Sequence, residues 1–395
     1  MDKSFILATS GSLKNVNGVV SFIKNLDNYL SSNESYQGAF HFGGQGGERY
    51  QSLVTSQDKP KETVVYNRSK FLLAIKNVLI RVPLFAFFWL CYVYLYPAKM
   101  VAKKVTRSSS SNMIISNDMF LSFFLSNSNR KLITILHSSD NPINQLLIYF
   151  PSIKGGAFEN LIRKILSRAI VNSDAVVTLN NALRDTISNA YPQKLVYTIY
   201  NGVPHVKHEA SYESNSQHLR LVGVGSLTFR KGFDLIIDAF INSKLIRERV
   251  IIDILGDGPE RASLTKSVID NGLKDVINFK GNVSNVSEAL GDYDIFILPS
   301  RDEGLPIAIL EACSVCLPII TTRVGAIPEV FTEQEVIYIE TNSKSIQKVL
   351  ESVVNNDFDL SSYSDDAYKK FSDYLSIEAM WKQYYTVLEV VNAKG

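Results

Sequence analysis

Two glutamates eight positions apart, Glu303 and Glu311, and an adjacent pair of cations, Arg230 and Lys231, are side chains whose types and spacing offer chemistry. Glu303 stands in a short loop, residues 300–304, after the apolar run Ile295–Leu298, which reads as a buried strand ending at Pro299. Glu311 stands in the helix that follows. That helix is expected to open at Leu305 and Pro306, because proline has no N–H to lose in a first turn. At roughly 1.5 Å per residue, eight helical positions cover about 12 Å, the reach from a sugar across a diphosphate to a ribose. Between the carboxylates, the helix start at Gly304, Leu305 and Pro306 offers free backbone N–H groups, which bind anions. Glutamate near a helix N-terminus is also ordinary dipole stabilisation. The spacing alone leaves both readings open.

The elements that must hold these groups alternate strand and helix along the whole chain. Strands are expected at residues 4–8, Ala39–Phe42, 63–66, Met113–Ser116, 132–136, 174–179 and 195–200. An amphipathic helix opens at Gly18, with Val19, Phe22, Ile23, Leu26 and Leu30 at helical spacing. The second half gives strands at Leu219–Val224, Val250–Leu255, 276–279, Ile295–Leu298, 319–321 and 336–339, and an amphipathic helix over residues 377–391. Such alternation predicts α/β architecture with two doubly wound parallel sheets. Ligands of such sheets bind beyond the carboxyl ends of the strands, where the glycine loops and His137 fall. Gly43, Gly44, Gly46 and Gly47 lack the spacing of a phosphate loop and read as an ordinary loop near a cleft.

A chain of 395 residues exceeds what one core comfortably supports. We expect domains at residues 1–202 and 219–372, a polar linker at 203–218, and a terminal helix over 373–395 crossing back to the first domain. Residues 1–202 hold 22 Lys and Arg against 11 Asp and Glu, whereas the remainder holds 19 against 28. The halves should therefore meet different partners. Three cysteines cannot frame a chain this size with disulfides, which points to a reducing compartment. Cys313-x-x-Cys316 has no second pair to complete a zinc site and reads as core packing. The N-terminal apolar run is too short for a signal peptide. Asp292-x-Asp294 precedes a buried strand instead of following one, so no metal is expected there.

In order, the segments NGVP (201–204), GSLTFRKGFDLIIDAF (225–240), LGDGPE (255–260), SRDEGLPIAILEA (300–312) and LPIITTRVGAIPE (317–329) resemble retaining glycosyltransferases of family 4. The resemblance covers most of the second half and, through Gly18 and His137, touches the first half loosely. It implies the GT-B fold, with two Rossmann-like domains facing across a cleft, the first on the acceptor side and the second binding a nucleotide sugar. Glu303 and Glu311 match the family's pair of glutamates separated by seven residues. By resemblance, Glu303 holds the donor sugar and steadies charge at its anomeric carbon, and Glu311 binds the ribose hydroxyls. Arg230 and Lys231 match the diphosphate clamp. A basic pair at a helix start opposes the helix dipole, which favours that role over a solvated surface. Gly18 would let backbone approach the phosphates, and His137 would touch the donor sugar, although a histidine at a strand end is as often structural. Two positions depart from the pattern. Ser226 stands where arginine is frequent, and Cys316 stands where glycine is usual, costing backbone freedom but touching no chemistry.

The implied reaction is sugar transfer from a nucleotide sugar to a saccharide or lipid-linked saccharide acceptor, in synthesis of a bacterial-type surface polysaccharide, with no cofactor and no metal. A sugar-nucleotide epimerase on the same fold, or an inactive subunit that only binds, are the alternatives. The intact Glu303, Glu311, Arg230 and Lys231 weigh against the inactive subunit. Residues 68–107 hold eight basic residues, and no acid occurs from Thr63 to Asn117. Inside lies an uncharged aromatic run, residues 82–98 with Trp89. Spanning a bilayer would separate two strands of one sheet, so the segment reads as a helix lying on an anionic membrane surface, basic at both ends. A long core helix is the alternative. The expected location is cytoplasmic, peripheral at the inner face of the cytoplasmic membrane, with no nucleic-acid partner.

Overall fold

The computed structural model describes residues 5–10, 18–31, 39–42, 81–107, 111–138, 141–206 and 218–393. The strand expected at 63–66, the glycine loop at 43–47, most of the linker and the cations Arg68, Lys70 and Lys76 lie outside them. The chain divides into two compact units. One is Met1–Ile199 with Tyr384–Gly395, and the other is Tyr200–Gln383. The final helix, Ile377–Ala393, is shared by both.

Six short apolar segments form the first sheet among the described residues: β1 Ile6–Thr9, β2 Ala39–Phe42, β3 Met113–Ser116, β4 Lys131–Leu136, β5 Ala175–Thr178 and β6 Leu195–Thr198. They pair in parallel in the order β2-β1-β3-β4-β5-β6. The apolar side chains of β1, β4 and β5 are buried with little alternation, as strands covered by helices on both faces require. The chain winds outward on one side of β1 and then returns to β3, so the order reverses between those two strands.

The second unit repeats this plan. Its strands are β7 Leu219–Val224, β8 Val250–Leu255, β9 Ile277–Gly281, β10 Ile295–Leu298, β11 Ile319–Thr322 and β12 Ile337–Ile339. Their order, β12-β11-β10-β7-β8-β9, reverses between β7 and β10, which lie side by side with Ile295 opposite Leu221. A crevice at the carboxyl ends of two such strands is where this architecture binds ligands. The segments after β7 and β10 carry Arg230, Lys231 and Glu303.

Three local expectations need correction. The helix bearing Glu311 is Ile307–Ser314, and Pro306 caps it in an extended conformation with φ −67° and ψ 125°. Leu305 and Pro306 thus precede the helix, and a helical rise does not apply from Glu303 onward. Arg230 and Lys231 lie in a 3₁₀ turn, Phe229–Lys231, ahead of the helix Phe233–Asn242 and not in its first turn. Val203, expected to begin a loose linker, is buried and bonded, with its N–H donating to Leu375 O and its carbonyl accepting from Ile377 N.

Candidate active site

The loops after β7 and β10 are pressed together before any ionic contact is made. Gly232 ends the 3₁₀ turn at φ +72°, and a Cβ there would stand 2.1 Å from Pro299 O. Only glycine allows both that conformation and that approach. Arg301 fastens the same junction. Its backbone N–H donates to Arg230 O at 2.7 Å, its guanidinium forks onto Asp234 at 2.8 and 2.6 Å, and it lies 3.9 Å over the Phe229 ring. From the other side, Gly325 at φ +58° brings its backbone against Glu303 O, where a Cβ would stand 1.9 Å away. Thr322 Oγ1, at the end of β11, donates to Ser300 O at 2.7 Å.

These supports deliver one carboxylate to three donors. Glu303 is 4% exposed, and its Oε1 accepts from Lys231 Nζ at 2.5 Å and Ser300 Oγ at 2.7 Å. Its Oε2 faces Arg230 Nη1 at 3.3 Å. The Lys231 stem runs over Gly225, whose missing side chain leaves it room. Two cations share one anion, so the cluster retains an excess positive charge at the mouth of the β7–β10 crevice. Arg230 is half-exposed and Lys231 is nearly covered. The first can swing toward a ligand, while the second is fixed.

Glu311 differs in kind. It sits on the helix beside this cluster, and its carboxylate has no hydrogen-bond or ion-pair partner among the described residues. Burial without compensation pushes it up to about 7. A helix N-terminus with no side-chain cap lies just before it, at Pro306. A Cβ on Gly304 would meet nothing within 4 Å among the described residues.

Gly18 and His137 belong to the first unit. Gly18 is the first residue of the helix Gly18–Ser31, after β1. His137 follows β4, its ring edge-on to Phe22 at 5.0 Å and its Nε2 2.9 Å from Asn117 Oδ1. Asn117 Nδ2 points to Ala8 O at 3.4 Å, so its oxygen faces the imidazole. Nε2 therefore carries the proton, and Nδ1 is left as an acceptor. Burial holds the ring neutral by pushing its pKa down to about 4. Among the pair Asp292 and Asp294, Asp294 Oδ2 accepts from Arg220 N at 2.7 Å.

The structure thus joins Arg230, Lys231 and Glu303 directly, with Gly304, Leu305, Pro306 and Glu311 on the same loop and helix. It also shows residues that sequence reasoning passed over: Ser300, Arg301, Gly232, Gly325 and Asn117. Ser300 and Arg301 sit within the segment already singled out, three and two positions before Glu303. Asn117, the polar residue just after β3, was findable only through the pairing of β3 with β4, which sets Ser116 opposite Thr134 and brings the segments after both strands together.

With that geometry in place, the class is defined at the level of the fold: two parallel-sheet α/β domains of the GT-B kind. Residues 207–371 match the family Glycosyl transferases group 1. The chain is 27% identical over 200 residues to a phosphatidylinositol N-acetylglucosaminyltransferase subunit of Arabidopsis thaliana, covering 49% of this chain and 44% of that one. It is 28% identical over 219 residues to N-acetyl-alpha-D-glucosaminyl L-malate synthase of Bacillus anthracis, covering 53% and 54%. It spans about half the length of these curated relatives. Among solved structures, sucrose-phosphate synthase from Thermosynechococcus elongatus superposes with a TM-score of 0.73 at 12% identity, covering all of both chains. HepE of Anabaena in complex with UDP gives 0.67 at 14%, covering 98% of this chain and 100% of that one.

Proposed function

We propose that this chain transfers a hexosyl group from a nucleoside diphosphate sugar to a saccharide acceptor, with retention at the anomeric carbon. The observation that carries this reading is the buried Glu303 held between Lys231 and Arg230, a site with one cation in excess at the carboxyl ends of β7 and β10. When the anomeric C–O bond breaks, the diphosphate departs with the bonding pair and gains negative charge. Lys231 and Arg230 are aimed at that charge, and fixed cations act most strongly where charge grows in the transition state. Glu303 balances positive charge on the sugar. The acceptor hydroxyl oxygen forms the new bond and gives its proton to the departing phosphate. Glu311 takes the ribose hydroxyls, and His137 Nδ1 accepts from a donor-sugar hydroxyl. Relatives named for N-acetylglucosaminyl transfer and a UDP-bound neighbour agree with a nucleotide-sugar donor.

The finer reading is a lipid-linked saccharide acceptor of a surface polysaccharide, met at the inner face of the cytoplasmic membrane, with the diphosphate neutralised by side chains and no metal. A panel of nucleotide sugars tested for thermal stabilisation identifies the donor, because a ligand that binds only the folded state raises its melting temperature. Product analysis by NMR then tests retention. We expect the donor's anomeric configuration in a glycosidic product, undiminished in excess EDTA. An inverted product or EDTA-abolished turnover overturns the corresponding part, and free sugar formed without acceptor supports an epimerase.

A further inference from the structure

The sequence offered an interfacial helix or a core helix for the segment before β3, and the structure shows one helix that is both, on opposite faces. It runs 25 residues from Pro83 to Arg107, through a π-helical stretch at Cys91–Leu95. By length and composition it is able to cross a membrane. One face, however, is built into the core of the first unit: Ala86, Leu90, Ala98, Val101 and Val105 are all but completely buried in the same cluster as Ile6 and Ile114. Spanning would tear that cluster open.

The other face has no such cover. Phe85, Phe88, Tyr92, Tyr96 and Met100 are all exposed, Phe88 to 61%. Four-residue steps along an α-helix drift by about 40° each, which would carry such a row around the cylinder. The wider π turn holds more residues per turn and takes back part of that drift. Phe88, Tyr92, Tyr96 and Met100 therefore stay on one side. Lys99, Lys103, Lys104 and Arg107 continue this face as exposed cations, and Arg81 is exposed at the other end.

A second element supplies more of the same surface. The helix Pro142–Tyr149 ends in Ile148 and Tyr149, 76% and 67% exposed. The 3₁₀ turn that follows, Pro151–Ile153, packs against the helix Pro83–Leu90, and Phe87 stacks on Phe158 at 4.5 Å. Trp89, by contrast, packs inward, so the aromatic anchors are the two tyrosines and Phe88.

We infer that the first unit docks flat on an anionic lipid surface through the outer face of Pro83–Arg107 together with the Ile148–Tyr149 tip. Tyrosines and phenylalanines beside a ring of cations, without a carboxylate along the segment, are chemically matched to the headgroup boundary of an anionic leaflet. A second copy of this chain would have to place like charges together. This inference deepens the membrane part of the proposed function, but its readout needs no catalysis.

The experiment is sedimentation of the full chain with vesicles of phosphatidylcholine alone or with 30% phosphatidylglycerol, at low and high salt, in the absence of donor. Binding to the anionic vesicles should fall with salt but leave a resistant remainder. The variant with Lys99, Lys103, Lys104 and Arg107 changed to Gln should lose roughly ten-fold or more of the partitioning at low salt. The variant Phe88→Ser, Tyr96→Ser, Ile148→Ser should lose the salt-resistant part. All these residues are exposed, and unchanged circular dichroism and donor turnover with a water-soluble acceptor confirm folding. Parent-like binding by both variants, or self-association without vesicle binding, overturns the docking surface. Normal docking by a parent chain that transfers no sugar from any donor would instead overturn the transferase reading.

Discussion

Lys231 Nζ lies 2.5 Å from Glu303 Oε1, joining the segment after β7 to the segment after β10 across 72 positions of sequence. The pair exists because the strand order reverses between those two strands. The carboxylate thereby keeps one of the two cations of the cluster desolvated and in place.

Removing either partner should cost turnover more than it costs binding. Glu303→Gln and Lys231→Ala should each lower kcat by about 100-fold or more, as expected for lost transition-state electrostatics. Because the groups touch, the double variant should lose far less than the product of the two effects. Steady-state kinetics of the four proteins measures this, and near-normal kcat in both folded single variants would remove the pair from the site.

Nucleotide binding should depend on the protonation of Glu311. In the free protein its carboxyl titrates near 7, raised by burial. Only the carboxylate accepts two ribose hydroxyls, so binding favours the deprotonated form and releases a proton. Affinity should be about ten-fold weaker at pH 6 than at pH 8. Calorimetry across that range tests it, with Glu311→Gln expected to bind weakly and show no slope. A slope that persists in Glu311→Gln would place the titrating group elsewhere.

His137 should set part of the acid limit of stability. The unfolded chain takes up a proton at histidine near pH 6.5, whereas in the fold this ring stays neutral down to about 4. Between those values the unfolded state binds more protons, so stability should fall as pH drops from 6.5 toward 4. Urea midpoints for the parent and for His137→Gln, which can still donate to Asn117, should converge as pH falls. Parallel curves would show that the ring does not titrate as its burial requires.

Cys316 is a non-glycine residue in the left-handed region, at φ 57°. That conformation costs roughly 1–2 kcal/mol for an L residue, part of which glycine gives back through its freer unfolded chain. Cys316→Gly should therefore stabilise by about 0.5 kcal/mol, and Cys316→Val should destabilise by more than that. Equilibrium unfolding in urea decides between these signs and a position indifferent to φ.

Strands were the most legible part of this molecule, because a parallel sheet buried on both faces writes itself as short apolar runs. Val250–Leu255 and Ile295–Leu298 stand where those runs do. The helix start was misplaced because proline suits both an N-cap and a first turn, and only the extended ψ of Pro306 separates them. Glu303 was readable as a candidate, but its contact with Lys231 was not, since it depends on which strands become neighbours. The supports at Gly232 and Gly325 were hidden for the same reason. Their φ values answer to backbone from a different loop. For Pro83–Arg107, composition gave both faces together and only the packed core told them apart.

The helix Ile377–Ala393 divides its residues between the two units, and this bears on how the chain matures as it is made. Tyr384 sits in the first unit with its ring 6.3 Å from Phe22, whose helix is translated before the second unit. The last part of that unit's core emerges only after the whole second unit has been translated. Domains generally fold in order as they appear during synthesis. Here the first unit cannot complete its packing around Phe22 until Tyr384 emerges, which leaves the second unit free to complete its fold first.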